Sequence, residues 1–146
     1  MSAARAFIRL ADAIAHDAGT AGTAAIEFAF MAPVFLGLML GAFEFALFVG
    51  YRQDLSSAVS RVGRYASVHG SSSSVPATAT SLASLVGTNL KLVPAAAISA
   101  SAGFSPNNNP GSTVTITASY AWRPFTTIVS MPNITITAKS VQTILN

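Results

Sequence analysis

The chain has 146 residues, enough for one domain or for one small domain hung on an anchor. Apolar residues make up 51% of it and charged residues only 9%, against a usual ~25%. With no cysteine, it has neither a disulfide framework nor thiolate chemistry.

Residues 1–21 carry Arg5 and Arg9 ahead of Asp12 and Asp17, with Leu10, Ile14 and small apolar residues between them. A short amphipathic helix is expected. The segment resembles the charged start of a secretory signal, but the apolar run that follows far exceeds a signal core of ~7–15 residues. A signal anchor, or a leader cut ahead of the apolar run, fits better.

Between Glu27 and Arg52 lie 24 residues with a single charge, Glu44. As a helix they extend ~36 Å, enough to cross a ~30 Å hydrocarbon core with some tilt. Apolar residues occupy every side, so no polar face remains for water. The rest of the chain is too small to bury such a helix, and a membrane span is expected. Pro33 removes one backbone hydrogen bond, which membrane helices tolerate. Gly37 and Gly41 form a G-x-x-x-G pair, either a smooth face for a neighbouring helix or merely a reflection of how common glycine is in such spans.

Past the span, Tyr51, Leu55, Ala58, Val62 and Tyr65 recur at helical period, with Gln53, Ser57, Ser60 and Arg64 turned the other way. One helix of roughly 40 residues is therefore expected, ending near His69-Gly70, with a flexible break at Ser71 to Ser74. Leu82, Leu85, Val86 and Val93 share a face, predicting a helix over 78–93 stopped by Pro94. The period then changes to two. Val114, Ile116, Ala118, Tyr120 and Trp122 alternate with small and hydroxyl residues, as do Ile134, Ile136 and Ala138. SPNNNPGS (105–112) is a turn signal after a weaker strand at 96–104, and 123–132 is a longer connection. The expectation is an α+β fold whose small antiparallel sheet packs on the stripe of the long helix.

Composition bears on function as well. After Asp54 there is no Asp or Glu, so Arg52, Arg61, Arg64, Lys91, Arg123 and Lys139 stand against Asp54 alone, a net +5. That balance suits anionic headgroups or an acidic partner surface. The basic residues are scattered rather than striped with aromatics, which argues against nucleic acid. Paired carboxylates, a Ser-His-Asp triad and a carboxylate-ligated metal all lack members, so no enzyme, cofactor or small-molecule substrate is expected. His16 and His69 read as solvated residues, and the Asn133-Ile134-Thr135 sequon as incidental. Glu27 and Glu44 stand out, because a carboxylate in an inserted helix costs several kcal/mol unless neutralised or paired.

GTAAIEF (22–28) followed by an apolar helix resembles the class III signal of type IV prepilins, cut after the glycine with glutamate at the fifth mature position. The longer pattern resembles the TadE-like pseudopilins of the tight-adherence (Flp) pilus system. It comprises Gly22, Glu27-Phe28, Pro33, Glu44-Phe45, Tyr51-Arg52-Gln53 with Leu55 and Ala58, then Arg64-Tyr65-Ala66, over about 45 of the 146 residues. The family's usual Gly-Ala-Arg-Tyr appears here as Val62-Gly63-Arg64-Tyr65.

The resemblance implies a leader over 1–22 cut between Gly22 and Thr23 by a prepilin peptidase. It implies a membrane and extended helix over 23–70 and an exported domain over 71–146. Pilin-like subunits and the Tad secretion machinery would be the partners, with Glu27 pairing between subunits, Glu44 either snorkelling or pairing with Arg52 of another subunit, and Pro33, Gly37 and Gly41 packing helices. Arg5 and Arg9 nearly balance Arg52, Arg61 and Arg64, so the positive-inside count is indecisive. The implied processing places the N-terminus in the cytoplasm of a bacterium and the C-terminal domain outside its inner membrane. A signal-anchored binding domain that keeps its leader is the alternative.

Overall fold

A computed structural model describes residues 3–125 and 134–145. Helix α1 spans Ala3–Val68, α2 spans Ala79–Thr88, and a 3-10 turn covers Ala95–Ala97. Strands β1 (Ile98–Ser105), β2 (Thr113–Trp122) and β3 (Ile134–Thr143) form one antiparallel sheet in the order β1-β2-β3. The fold is α+β, with two compact units, Met1–Phe43 and Glu44–Asn146.

Within the second unit, the C-terminal part of α1 lies on one face of the sheet. Leu55, Ala58, Val59, Val62 and Ala66 of the helix share a core with Val114, Ile116, Ala118 and Trp122 of β2 and Ile136 of β3. The strand alternation expected over 113–122 holds, with Val114, Ile116 and Ala118 fully buried. The helical stripe differs at its far end. Ala66 takes the buried position, while Tyr65 is 38% exposed and stacks on His69, ring centroids 3.8 Å apart. His69 Nδ1 lies 2.9 Å from the Tyr65 carbonyl oxygen, so the histidine sits at the helix end as a capping group. Nearer the start of the unit, Phe48 meets Trp122 edge-on at 5.3 Å and Tyr51 meets Tyr120 at 5.8 Å. Such aromatic pairs add about 0.5–1.5 kcal/mol beyond the area they bury.

Three other expectations are revised. Helix α2 begins at the Thr78 N-cap, where Thr78 Oγ1 accepts from the Ser81 amide and the Thr78 amide donates to Ser81 Oγ. It stops at Thr88 instead of running to Val93, because the amides of residues 91–93 are engaged by Asp54. Strand β3 runs past Lys139 to Thr143, and its first inward candidate, Ile134, is 37% exposed. Its inward side continues through Ser140, which is buried although polar. The serine-rich stretch after α1 is bonded to the turn between β1 and β2 and is not a loose break. The Ser71 amide donates to the Asn108 carbonyl at 2.7 Å, and Ser71 Oγ donates to Asn109 Oδ1.

The turn over 105–112 is as expected. Asn107 Oδ1 accepts from the Asn109 amide and from Ser112 Oγ, and Gly111 takes φ +87°, a region that favours glycine. Of the 123–132 connection, residues 126–132 lie outside the described residues, as does Asn133 of the sequon.

Gly63 sets how closely β3 approaches α1. A Cβ there would lie 2.6 Å from Ser140 Oγ, 3.2 Å from Gln142 Cγ and 3.3 Å from Ser140 Cβ. In a helix interior glycine costs ~1 kcal/mol relative to alanine, and here that cost gives the sheet room. Gly63→Val adds three carbons where there is no space, which outweighs the gain in propensity. We expect it to destabilise the second unit by about 1–3 kcal/mol, read as a lower thermal midpoint in detergent.

Candidate functional site

From Gly22 to Phe43 the first unit is a helix without a cover. Ile26, Phe28, Phe30, Met31, Phe35 and Leu38 are each at least 60% exposed. The candidate membrane span within Gly22–Val68 has a mean hydropathy of 2.0, and none of its most apolar window is buried. A core helix of a water-soluble protein is covered by its own chain, and this one is not. From Gly22 to Phe43 the helix is ~33 Å long, matching a bilayer core. Leaving each such side chain in water forgoes about 1.5–3 kcal/mol, so the surface calls for lipid or other helices, as in a single-pass anchor.

The residues singled out along this stretch are all exposed: Gly22, Thr23, Glu27, Pro33, Gly37 and Gly41. A Cβ placed on Gly22, Gly37 or Gly41 would meet nothing within 4 Å. Nothing in the chain itself requires glycine at these three positions, and the G-x-x-x-G face is open for close approach. Pro33 lies inside α1 without ending it.

Glu44 is placed differently. It opens the second unit and is only 9% exposed. It precedes Phe48, Tyr51, Leu55, Ala58 and Val62 by 4, 7, 11, 14 and 18 residues, the helical spacing of the sheet-facing stripe. The two glutamates therefore differ: Glu27 stands on the open apolar helix, and Glu44 lies covered in the folded unit. The same spacing extended backwards from Tyr51 would have found this from sequence.

Asp54 is the site residue that sequence reasoning did not single out. It is 8% exposed and points at the connection after α2. Its Oδ2 accepts from the backbone amides of Lys91 (3.0 Å), Leu92 (2.7 Å) and Val93 (3.1 Å). Burial by itself would raise its pKa. The three amides, helped by the charge of Arg61, outweigh burial and hold the carboxyl below its ordinary value. Its chemistry is that of an anchor, with one carboxylate collecting the donors of a turn that has no other partners for them. Among the described residues, no group of three or more His, Cys, Asp or Glu gathers as metal ligands would.

A carboxyl with a lowered folded pKa contributes stability above its unfolded value, near ~3.9, and that contribution is lost as pH falls through the folded value. Asp54→Ala should cost roughly 2–4 kcal/mol, since hydrogen bonds to a charged group are worth about 1.5–3 kcal/mol each and some amides will find water. In thermal melts the wild-type protein should lose stability below about pH 4, and Asp54→Asn should flatten that loss.

Residues 22–64 match the family model described as TadE-like protein. The match begins at the glycine that precedes the apolar run, covers the exposed helix, and ends on the part of α1 that packs against the sheet. No curated protein and no solved structure matches the chain. Over residues 22–64 the chain is similar to TadE-like proteins.

Proposed function

We propose that this protein is a minor pseudopilin, a membrane-anchored assembly component of a Tad/Flp-type adhesive pilus. A prepilin peptidase cuts it between Gly22 and Thr23 on the cytoplasmic face of the inner membrane. The observation that carries this reading is the coincidence of three boundaries. The TadE-like match begins at residue 22, the uncovered apolar surface follows directly, and a glutamate stands five residues on.

Each part has a physical role. Glycine at the cleavage position gives an intramembrane protease a backbone without side-chain obstruction. After cleavage, the new amine at Thr23 is cationic, and Glu27 supplies the carboxylate that a neighbouring subunit's amine can meet within lipid, where an unpaired charge is costly. Gly37 and Gly41 let a second helix come close enough for dispersion and backbone contacts. The exported unit contributes a surface for assembly and no catalytic machinery.

The leader decides between this reading and a plain signal anchor. N-terminal sequencing of the membrane form should begin Thr23-Ala24-Ala25-Ile26-Glu27, and Gly22→Leu should leave a full-length, inserted protein that does not support piliation. An intact leader in cells that are making pili would favour a signal-anchored binding domain instead.

Glu27→Gln separates assembly from insertion. Removing the charge makes insertion no harder, so membrane levels should stay normal while crosslinking to other pilin-like subunits falls. Unchanged crosslinking and piliation would remove this role from Glu27.

A further inference from the structure

The charges of the second unit are sorted by burial. Its two acidic side chains, Glu44 and Asp54, are 9% and 8% exposed. Its six basic residues, Arg52, Arg61, Arg64, Lys91, Arg123 and Lys139, are all exposed. Every charged side chain that this unit offers to a neighbour is therefore positive. Two of the six line one groove, where Gly50, Ser57 and Arg61 of α1 face Lys91 and Leu92 of the connection after α2. Asp54 also borders the groove, with its carboxylate taken up by the amides of residues 91–93. The groove has an apolar end as well, since Leu92 is 60% exposed and its Cδ1 would lie 3.7 Å from a Cβ on Gly50.

We propose that this groove docks an acidic, partly apolar segment of a different subunit, with a carboxylate between Arg61 and Lys91 and an apolar side chain against Leu92. Charge complementarity selects the occupant. The same unit of a second copy offers only basic side chains to the contact, and like charges at an interface are repelled. Anionic headgroups fit less well. Arg61 and Arg64 stand 9 and 12 residues beyond Arg52, ~13–18 Å along the helix. A lipid surface meeting the chain at Arg52 is screened over ~8 Å at physiological salt. Like-charge repulsion thus makes the exported unit a poor neighbour for itself and a good one for an acidic subunit. In a pilus, that keeps it to isolated positions. The inference rests on the pilus reading for the identity of the neighbour but not for the chemistry of the groove.

The test uses the full chain in nanodiscs of phosphatidylcholine, with empty nanodiscs as blank, and a labelled helical peptide of Glu and Leu or its Lys/Leu twin. Wild type should bind the Glu/Leu peptide in preference to its twin, and more weakly as salt is raised. Arg61→Gln/Lys91→Gln should weaken that binding roughly three- to tenfold, the weight of two exposed ion pairs. Arg61→Glu/Lys91→Glu should invert the preference. Lys91 holds Asp54 through its backbone amide, so both variants keep those hydrogen bonds while losing the charge of Arg61 beside Asp54, and the melting temperature of each pair at neutral pH checks the fold. Equal binding of the two peptides, or a Gln pair that folds and binds as wild type does, would overturn the proposal. So would groove-dependent recruitment of phosphatidylglycerol vesicles without peptide binding. Peptide binding retained in a protein that plays no part in piliation would sink the pilus reading and leave the groove's chemistry standing.

Discussion

The second unit depends on one carboxylate. Asp54 lies on α1, and the segment it holds lies 37 to 39 residues later, where α2 has ended and the sheet has yet to begin. The amides of Lys91, Leu92 and Val93 leave the helical pattern together, and a buried amide with no acceptor costs about 1–3 kcal/mol. One Oδ2 satisfies all three. It thereby fixes where α2 stops, how the chain turns toward Pro94, and where β1 starts at Ile98. A neutral acceptor would hold them about half as strongly. The depressed pKa of Asp54 and the truncated helix are two expressions of the same contact.

Around that anchor the packing is economical. The sheet has three strands and packs in one core with α1 and with two buried residues of α2, Leu82 and Val86. A core this small leaves little margin, and the chain compensates with directional contacts at its margins. The Asn-rich turn ties to the stretch after α1, the Leu145 amide donates to the Ser67 carbonyl, and the Gly111 amide donates to the Ile144 carbonyl. These bonds close the end of the sheet onto the end of the helix. The aromatic pairs Phe48–Trp122 and Tyr51–Tyr120 fasten the opposite end.

The anchor was legible in the sequence because a long apolar run with one charge has few other uses. The strands were legible where alternation is strict, as at Val114, Ile116 and Ala118. Both signals are periodic and local. What the sequence hid was non-local. Val93 looked like part of α2 because it is apolar and falls at the right spacing, and only the distant Asp54 explains why it is not helical. Tyr65 fitted the helical stripe, yet Ala66 is the residue buried at its end, while the ring of Tyr65 stacks on His69. Ser140 reads as a strand ending, since a serine is a weak mark of a buried face. It is inward because a glycine opposes it. Asp54 itself was visible as the last acid in the chain, but solitude in sequence does not say which amides a carboxylate will find. The match over residues 22–64 leaves the sheet and the basic groove residue Lys91 beyond its limits, so their roles rest on packing and charge alone.

Helix α1 and strand β3 meet at a contact with no slack, where the absent side chain of Gly63 and the short one of Ser140 occupy what elsewhere would be two layers of atoms. These two positions behave as a single steric unit. In related chains their volumes should vary inversely, a larger residue on the helix being matched by a smaller one on the strand, while the separation of the two backbones stays constant. A chain with alanine in the helix would then carry a different strand residue at the matching position, with the rest of the sheet undisturbed. The departure Val62-Gly63-Arg64-Tyr65 is thus one half of a coupled pair, and its other half lies 77 residues away, in a strand outside the matched segment.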